Sequence, residues 1–239
     1  MIFYYIRHGD PTYKPNELTP LGRRQAEAVA KRLALYGVDK IYASTSNRAM
    51  ETAQPTCEIM KMEAELLDFT NEKYTSADMM VRYGEDAPRR WIFETPEAVN
   101  LFCSKEIRDL GDKWYDHPAF RGYAFGSCIQ RVYDQADEFF ASLGYEHDRF
   151  TGKYKILSSN KDRIALFAHQ GFGLAFLSCL LDIPYPMFCT HFDMCHSGLT
   201  VIEFQENEGF AVPRILTMSS DSHLYREGLP TRYNNRLCF

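Results

Sequence analysis

The sequence predicts an α/β protein: a three-layer sandwich in which a mostly parallel central sheet is flanked by helices. Short apolar runs, such as IFYYI and RIALFAH, alternate with longer stretches of helical period, and this alternation is typical of parallel sheets covered by helices. The chain is also long and apolar enough for one core, since 45% of its 239 residues are apolar and 25% are charged.

The first part of the chain reads as a strand, a helix and a second strand. IFYYI is expected to form a buried strand, and KIYAS is expected to form the next one. Between them, Thr19 should cap a helix that has Pro20 at its first position. Gly37 should end that helix, because glycine tolerates the backbone conformation that follows a helix. These elements make a β-α-β unit.

The middle of the chain favours helices. A helix is expected to begin near Asn47, and Pro55 should kink or split it. Residues 78–117 lack strand signals and are expected to form a helical cap inserted into a single domain of residues 1–239. Residues 126–145 carry one apolar stripe at helical spacing and should form a helix packed on the sheet. The last predicted strands and helix are RIALFAH, GFGLAFLSCLLDI, GLTVIEF and VPRILTM.

Charge and cysteine content argue against several functional classes. A formal charge of -5 argues against binding to nucleic acid, because such binding requires a basic protein surface. No apolar run approaches the roughly 18 residues of a membrane span, and no leader pattern opens the chain. The seven cysteines are an odd number and are expected to be reduced thiols. We expect a cytoplasmic protein without a membrane or nucleic-acid partner, and a homodimer is left open.

Candidate chemical groups follow the predicted strands. Arg7 and His8 come directly after the first strand, Arg48 follows the second, and His169 ends a later strand where a helix begins. Glu72 lies further on, in an expected loop. Taken singly, each has an ordinary explanation as a solvated charge or a core histidine. Ligands of open α/β sheets bind beyond the carboxyl ends of the strands, so we expect these residues to form one site.

Two arginines, two histidines and a carboxylic acid around one point suit a phosphate monoester. The planar guanidinium group binds phosphate oxygens in pairs, and such donors stabilise the loose transition state of phosphoryl transfer. A neutral imidazole can attack phosphorus and form a covalent phosphohistidine. A protonated glutamate can then give its proton to the departing alkoxide. This scheme needs no metal and no other cofactor.

The motifs RHG, LTPLGRRQA, STSNRAMETA and AHQG occur in this order along the chain. Together they resemble the histidine phosphatase superfamily, in the branch typified by cofactor-dependent phosphoglycerate mutase. The resemblance implies that His8 is the phosphorylated nucleophile. It implies that Arg7, Arg48 and His169 hold the phosphoryl group. The stretch NEKY matches the family's proton-donor segment, which makes Glu72 the expected donor.

Two departures from the family pattern bear on the substrate. The mutases have Glu-Ser-x-x-Asn after RHG, whereas residues 10–14 here read DPTYK, and Gln170 stands where the family has glycine. Both departures favour a phosphatase over a mutase. Gly9 is expected to shape a sharp turn, and the backbone amide of Gln170 to add a phosphate donor at a helix start. Thr12 and Asn16 are candidates for substrate binding.

The prediction is a metal-independent phosphatase that acts on a small phosphorylated metabolite through a phosphohistidine. Mutase-type phosphoryl transfer is one alternative. A non-catalytic binding module on the same fold is another, although such modules typically lose the charged residues that this chain keeps. The cap should set specificity, and Arg89 or Arg90 could contact a second anion. A further cluster loosely resembles a zinc site but has no common spacing: Cys189, His191, Cys195 and His196.

Overall fold

The computed structural model describes residues 1–82, 86–235 and 237. A short piece of the predicted cap, residues 83–85, and one predicted thiol, Cys238, lie outside the described residues. Within the described part of the chain, no helix is long and apolar enough to cross a membrane.

The described residues form helices and strands in alternation. The strands are β1 (Ile2–Arg7), β2 (Pro11–Tyr13), β3 (Asn16–Leu18), β4 (Lys40–Ser44), β5 (Ala64–Leu67), β6 (Met80–Val81), β7 (Arg90–Trp91), β8 (Tyr145–Asp148), β9 (Lys153–Ile156), β10 (Arg163–Ala168), β11 (Leu199–Asn207) and β12 (Phe210–Ser220). The helices are α1 (Pro20–Tyr36), α2 (Asn47–Met60), α3 (Glu72–Met79), α4 (Pro96–Phe102), α5 (Lys105–Leu110), α6 (Phe125–Ser142), α7 (Gln170–Leu180), α8 (Tyr185–Cys189) and α9 (Ser222–Arg226).

The chain divides into two compact units. The first unit consists of Met1–Asn71, Ser158–Gln170 and the chain from Met194 onward, and the second of Glu72–Leu157 and Gly171–Asp193. Residues 78–117, the predicted cap, lie inside the second unit, which extends beyond them on both sides. A single domain with a cap insertion stays a prediction.

The sheet of the first unit has the strand order β5-β4-β10-β1-β11-β12. The four strands β5, β4, β10 and β1 run parallel, whereas β11 and β12 are antiparallel to their neighbours. The predicted α/β class and the mostly parallel core of the sheet are therefore confirmed. Because β11 runs opposite to β1, with Leu199 facing Ile6, the start of β11 lies beside the end of β1.

Helix α1 begins and packs as its sequence indicates. The side chain of Thr19 accepts a hydrogen bond from the backbone N–H of Gly22, and Gly37 follows the helix with a φ of 81°. Val29 and Leu33, one turn apart on α1, belong to the apolar cluster that also contains residues of β1, β4 and β10. Burying this apolar stripe fixes α1 against the sheet.

The second unit has its own aromatic core. Trp114 has no exposed surface, and its ring lies 5.3 Å from those of Phe102 and Phe120. Phe125 and Tyr185 stack on the same indole at 5.7 and 5.6 Å. Large rings in such edge and stacked arrangements bury much apolar area.

Several local expectations are wrong. Pro55 lies inside the continuous helix α2 and does not split it; a kink at Pro55 stays a prediction. Glu72 begins α3 and does not lie in a loop. The short hairpin of β6 and β7 falls in the segment expected to lack strands. Strands of two or three residues are too short to show a period of two.

Two leucines of α1 test the role of the apolar stripe. Leu33 is 0% exposed and Leu35 is 71% exposed, so they differ in burial but share a helix. We expect Leu33→Ala to lower the free energy of unfolding by about 2–5 kcal/mol, because the protein loses the burial of apolar side-chain atoms and keeps a cavity in their place. Leu35→Ala should change it by about 0.5 kcal/mol or less. Urea denaturation measures both, and equal losses would show that α1 does not pack through this stripe.

Candidate active site

Arg7 and His8 stand at the carboxyl end of β1, in the middle of the first unit's sheet. Both are buried, with exposures of 0% and 1%. The backbone N–H of His8 donates to the carbonyl of Ala168, and the His8 carbonyl accepts from the N–H of Ser197. Hydrogen bonds to the end of β10 and to the segment before β11 therefore hold this backbone, and they fix the position from which the two side chains extend beyond the sheet.

The His8 ring is a neutral imidazole with one defined tautomer. Its Nδ1 lies 2.8 Å from the carbonyl oxygen of Gly9. A carbonyl oxygen only accepts, so Nδ1 carries the proton and Nε2 has the lone pair. Burial holds the pKa of His8 well below its usual value, and the charges of His169, Arg7 and Arg48 lower it further. An imidazole in this state can act as a nucleophile through Nε2.

Gly9 is required for a close approach of two backbone segments. The sequence suggested a sharp turn, but Gly9 does not have a positive φ. A Cβ built on Gly9 would lie 2.6 Å from the carbonyl oxygen of Gly22 at the start of α1. The N–H of Gly9 also donates to Oγ1 of Thr52 at 3.0 Å, and Thr52 donates to the carbonyl of Arg48 at 2.6 Å. These bonds connect the end of β1 to helix α2.

Arg48 lies in the first turn of α2, beside the hairpin of β2 and β3. Its Nη1 donates to Oδ1 of Asn16 at 2.9 Å and to Oγ of Ser46 at 3.2 Å. Its guanidinium carbon lies 5.4 Å from the ring centre of Tyr13, a distance at which cation and ring attract. The predicted substrate residue Asn16 thus touches Arg48, whereas Thr12 lies on β2 opposite Glu17.

His169 follows β10 and faces His8. The Tyr5 hydroxyl donates to the His169 carbonyl at 2.7 Å, and Nε2 of His169 lies 2.8 Å from Oγ of Ser44 at the end of β4. The centres of the two imidazole rings are 5.2 Å apart. Burial, followed by the charges of Arg48 and Arg7, keeps the pKa of His169 well below its usual value. The first unit therefore brings the two predicted arginines and the two predicted histidines together.

Two further residues belong to this cluster: Asn234, which was not predicted, and His196, which the sequence indicated only as part of a zinc-like cluster. His196 precedes β11, and its ring stacks at 6.0 Å from that of His8. Nδ1 of His196 lies 3.3 Å from Oδ1 of Asp10. Burial and the Arg7 charge lower the pKa of His196. Asn234, in the C-terminal tail, reaches this ring with its Oδ1, which lies 3.2 Å from Nε2 of His196.

Asn234 also connects the tail to the two ends of the cluster. Nη2 of Arg7 donates to Oδ1 of Asn234, while Nη1 of Arg7 donates to the carbonyl of Met194. Nδ2 of Asn234 donates to Oε1 of Gln170 at 2.7 Å. Gln170 is the first residue of α7, so one amide group touches the segments that carry both Arg7 and His169.

Glu72 lies in the second unit, at the first position of α3. Its Oε1 accepts a hydrogen bond of 2.8 Å from the backbone N–H of Gly171. Gly171 is itself tightly packed, since a Cβ there would lie 2.3 Å from Cη2 of Trp91. The carboxyl group therefore has a fixed position against the start of α7.

Arg89 of the predicted cap and two cysteines of the predicted zinc-like cluster have hydrogen-bond partners within the protein. Nη2 of Arg89 donates to the carbonyls of Ser76 and Ala77 in the last turn of α3 and to that of Met80, the next residue after the helix, where a cation complements the helix dipole. Cys195 donates its thiol to the carbonyl of Ser219, and Cys189 donates to that of Pro186.

Comparisons with known proteins address the same part of the chain. The family model described as histidine phosphatase superfamily (branch 1) matches residues 3–96, a range that contains Arg7, His8, Arg48 and Glu72. The search of curated proteins gave no match.

Solved structures of low sequence identity have the same fold. A phosphoserine phosphatase from Entamoeba histolytica is 20% identical, with a TM-score of 0.59 over 93% of this chain and 98% of its own. A mycobacterial glucosyl-3-phosphoglycerate phosphatase is 17% identical, with a TM-score of 0.58 over 92% and 99%. Residues 3–96 thus match the model of the histidine phosphatase superfamily, branch 1, and the chain has the fold of these two solved structures.

Proposed function

We propose that this protein is a phosphatase that hydrolyses a small phosphorylated metabolite through a phosphohistidine on His8. One observation carries the proposal: a buried, neutral His8 lies among Arg7, Arg48 and His169 at one edge of the sheet. Positive groups around an uncharged nucleophile are what a phosphate dianion needs.

In the first step, Nε2 of His8 attacks phosphorus while the bond from phosphorus to the ester oxygen breaks. Arg7, Arg48 and His169 donate hydrogen bonds to the three equatorial oxygens, and the two guanidinium groups neutralise their charge. The leaving alkoxide takes a proton from the carboxyl group of Glu72. In the second step water attacks the phosphohistidine and gives its proton to the Glu72 carboxylate. The products are the alcohol, inorganic phosphate and the original His8.

The comparisons support the class of reaction and leave the substrate open. Both structural relatives named above are phosphatases, and their names refer to phosphorylated small molecules. The segment DPTYK in place of the mutase signature favours hydrolysis over transfer within the substrate. Glu72 is supported as the acid by its position in the NEKY segment and by its fixed carboxyl group. No step of this scheme uses a metal ion.

His8→Ala tests the nucleophile. It should lower kcat toward phosphate monoesters by at least about 10³-fold, because the covalent route is lost. Acid-labile phosphate incorporated from a labelled substrate should vanish with it. His191→Ala is the matched control, since His191 is exposed and should leave both measurements unchanged. Label that persists in His8→Ala would assign the nucleophile to another residue.

Glu72→Gln tests the proton donor through the leaving group. Turnover of alkyl phosphates should fall by about 10²–10⁴-fold, since an alkoxide needs a proton. Turnover of nitrophenyl phosphate should fall by less than about tenfold, because its phenolate leaves unprotonated. Exposed Glu97 provides the control variant Glu97→Gln. An equal loss on both substrates would remove Glu72 from the role of acid.

Asn234→Ala tests the contribution of the tail to the phosphate site. Without the amide oxygen, the Arg7 guanidinium loses one of its hydrogen-bond acceptors and becomes less well oriented. We expect KM for phosphate monoesters to rise by up to about tenfold, with a smaller change in kcat. The neighbouring variant Asn235→Ala should leave KM unchanged. A KM equal to wild type in Asn234→Ala would show that the tail does not orient Arg7.

A further inference from the structure

A second cluster of titratable side chains lies in the second unit, and the proposed phosphatase reaction uses none of them. Asp137 on α6, His147 on β8 and Cys179 on α7 each present a ligand atom, and these atoms lie within 4.8 Å of one another. The side chain of His147 has no exposed surface, and Cys179 is fully buried. Three separate elements thus bring three different metal-binding groups to one point.

The distances within the cluster suit a small tetrahedral metal ion. Nδ1 of His147 lies 2.9 Å from Oδ1 of Asp137, and Sγ of Cys179 lies 3.9 Å from the same oxygen. Zinc bonds of about 2.0 Å to nitrogen and oxygen and about 2.3 Å to sulfur place tetrahedral ligands about 3.3–3.5 Å apart. For these two pairs, shifts of a few tenths of an ångström would therefore reach the distances of zinc ligands.

A second ring of groups holds each of the three ligands in place. Nε2 of His147 lies 2.9 Å from Oδ2 of Asp182, which leaves Nδ1 as the nitrogen that faces the other two ligands. Nε of Arg149 donates to Oδ2 of Asp137 at 2.7 Å, and its Nη2 donates to Sγ of Cys179 at 3.7 Å. Carboxylate-bound histidines and hydrogen-bonded ligands of this kind are typical of metal sites.

We propose that Asp137, His147 and Cys179 bind one divalent ion of the zinc class, with water as the fourth ligand. Thiolate and imidazole ligands select zinc over magnesium or calcium, which prefer oxygen. Water can reach the site, since the side chains of Asp137 and Asp182 are 26% and 31% exposed. The site contributes no residue to the phosphate-binding cluster.

Charge remains balanced when the ion binds. Without metal, the cationic His147 and Arg149 face the carboxylates of Asp137 and Asp182, and the Cys179 thiol is neutral. Burial alone would lower the pKa of His147, but its hydrogen bonds with Asp137 and Asp182 raise it to about 11. Binding of the ion breaks the S–H bond and the Nδ1–H bond, and both protons go to solvent. The metal ion brings two positive charges and the two protons carry two away, so the net charge is unchanged. No electron is transferred.

Metal binding to the purified, metal-stripped full chain tests the proposal directly. Titration with Co²⁺ should give thiolate-to-cobalt charge-transfer absorption that saturates at one equivalent. Zinc should displace the cobalt, and calorimetry in buffers of different ionisation enthalpy should show that protons are released as zinc binds. Phosphatase activity is not a readout here, so the outcome is independent of the reaction proposed for His8.

Variants of Cys179 and of Asp182 distinguish a metal site from a network of ion pairs that binds no metal. Cys179→Ser should abolish the charge-transfer band, whereas Cys128→Ser, which changes another buried cysteine of the second unit, should keep it. Should Cys179→Ser fail to fold, Asp182→Asn takes its place and should weaken cobalt binding by about 10–100-fold with the band retained. Absence of the band from the wild-type protein, or an unchanged band in Cys179→Ser, would overturn the proposal.

Discussion

Positive charge buried at the carboxyl end of β1 is the constraint on which the phosphate site depends. Arg7 has no exposed surface and Arg48 is 8% exposed, so water screens neither guanidinium well. Burial, and after it the field of the two guanidinium groups, lowers the pKa of His8 and of His169 well below the usual value. In the proposed reaction the same two charges help to keep His8 in its nucleophilic form and attract the phosphate dianion to it.

The described groups that hold the two arginines include uncharged oxygens. The described partners of Arg7 include the Met194 carbonyl and the Asn234 amide, and those of Arg48 include Asn16 and a serine hydroxyl. These oxygens fix the direction of each guanidinium but carry no full negative charge. A carboxylate in the same place would compete with the phosphate, whereas an amide or a carbonyl only orients the donor.

The sequence predicted those parts of the site that a local pattern marks. Arg7, His8 and His169 stand at the ends of apolar strands, where a polar residue is costly without a purpose. His196 was not predicted at the phosphate site because it precedes β11. The residues of β11 do not indicate that this strand runs antiparallel to β1. Asn234 was not predicted because the tail has no period, and only tertiary contacts bring it to Arg7. Pro55 shows the limit of a local signal in the other direction, since the helix continues through it and only the predicted split is wrong.

The central claim is that His8, Arg7, Arg48 and His169 enclose one tetrahedral anion, and a crystal structure with orthovanadate tests it most directly. Vanadate takes the trigonal-bipyramidal geometry of a phosphoryl group under attack. We expect vanadium to be bonded to Nε2 of His8, with its equatorial oxygens hydrogen-bonded to both guanidinium groups and to His169. Vanadate bound to another residue, or held without a bond to His8, would contradict the proposed chemistry.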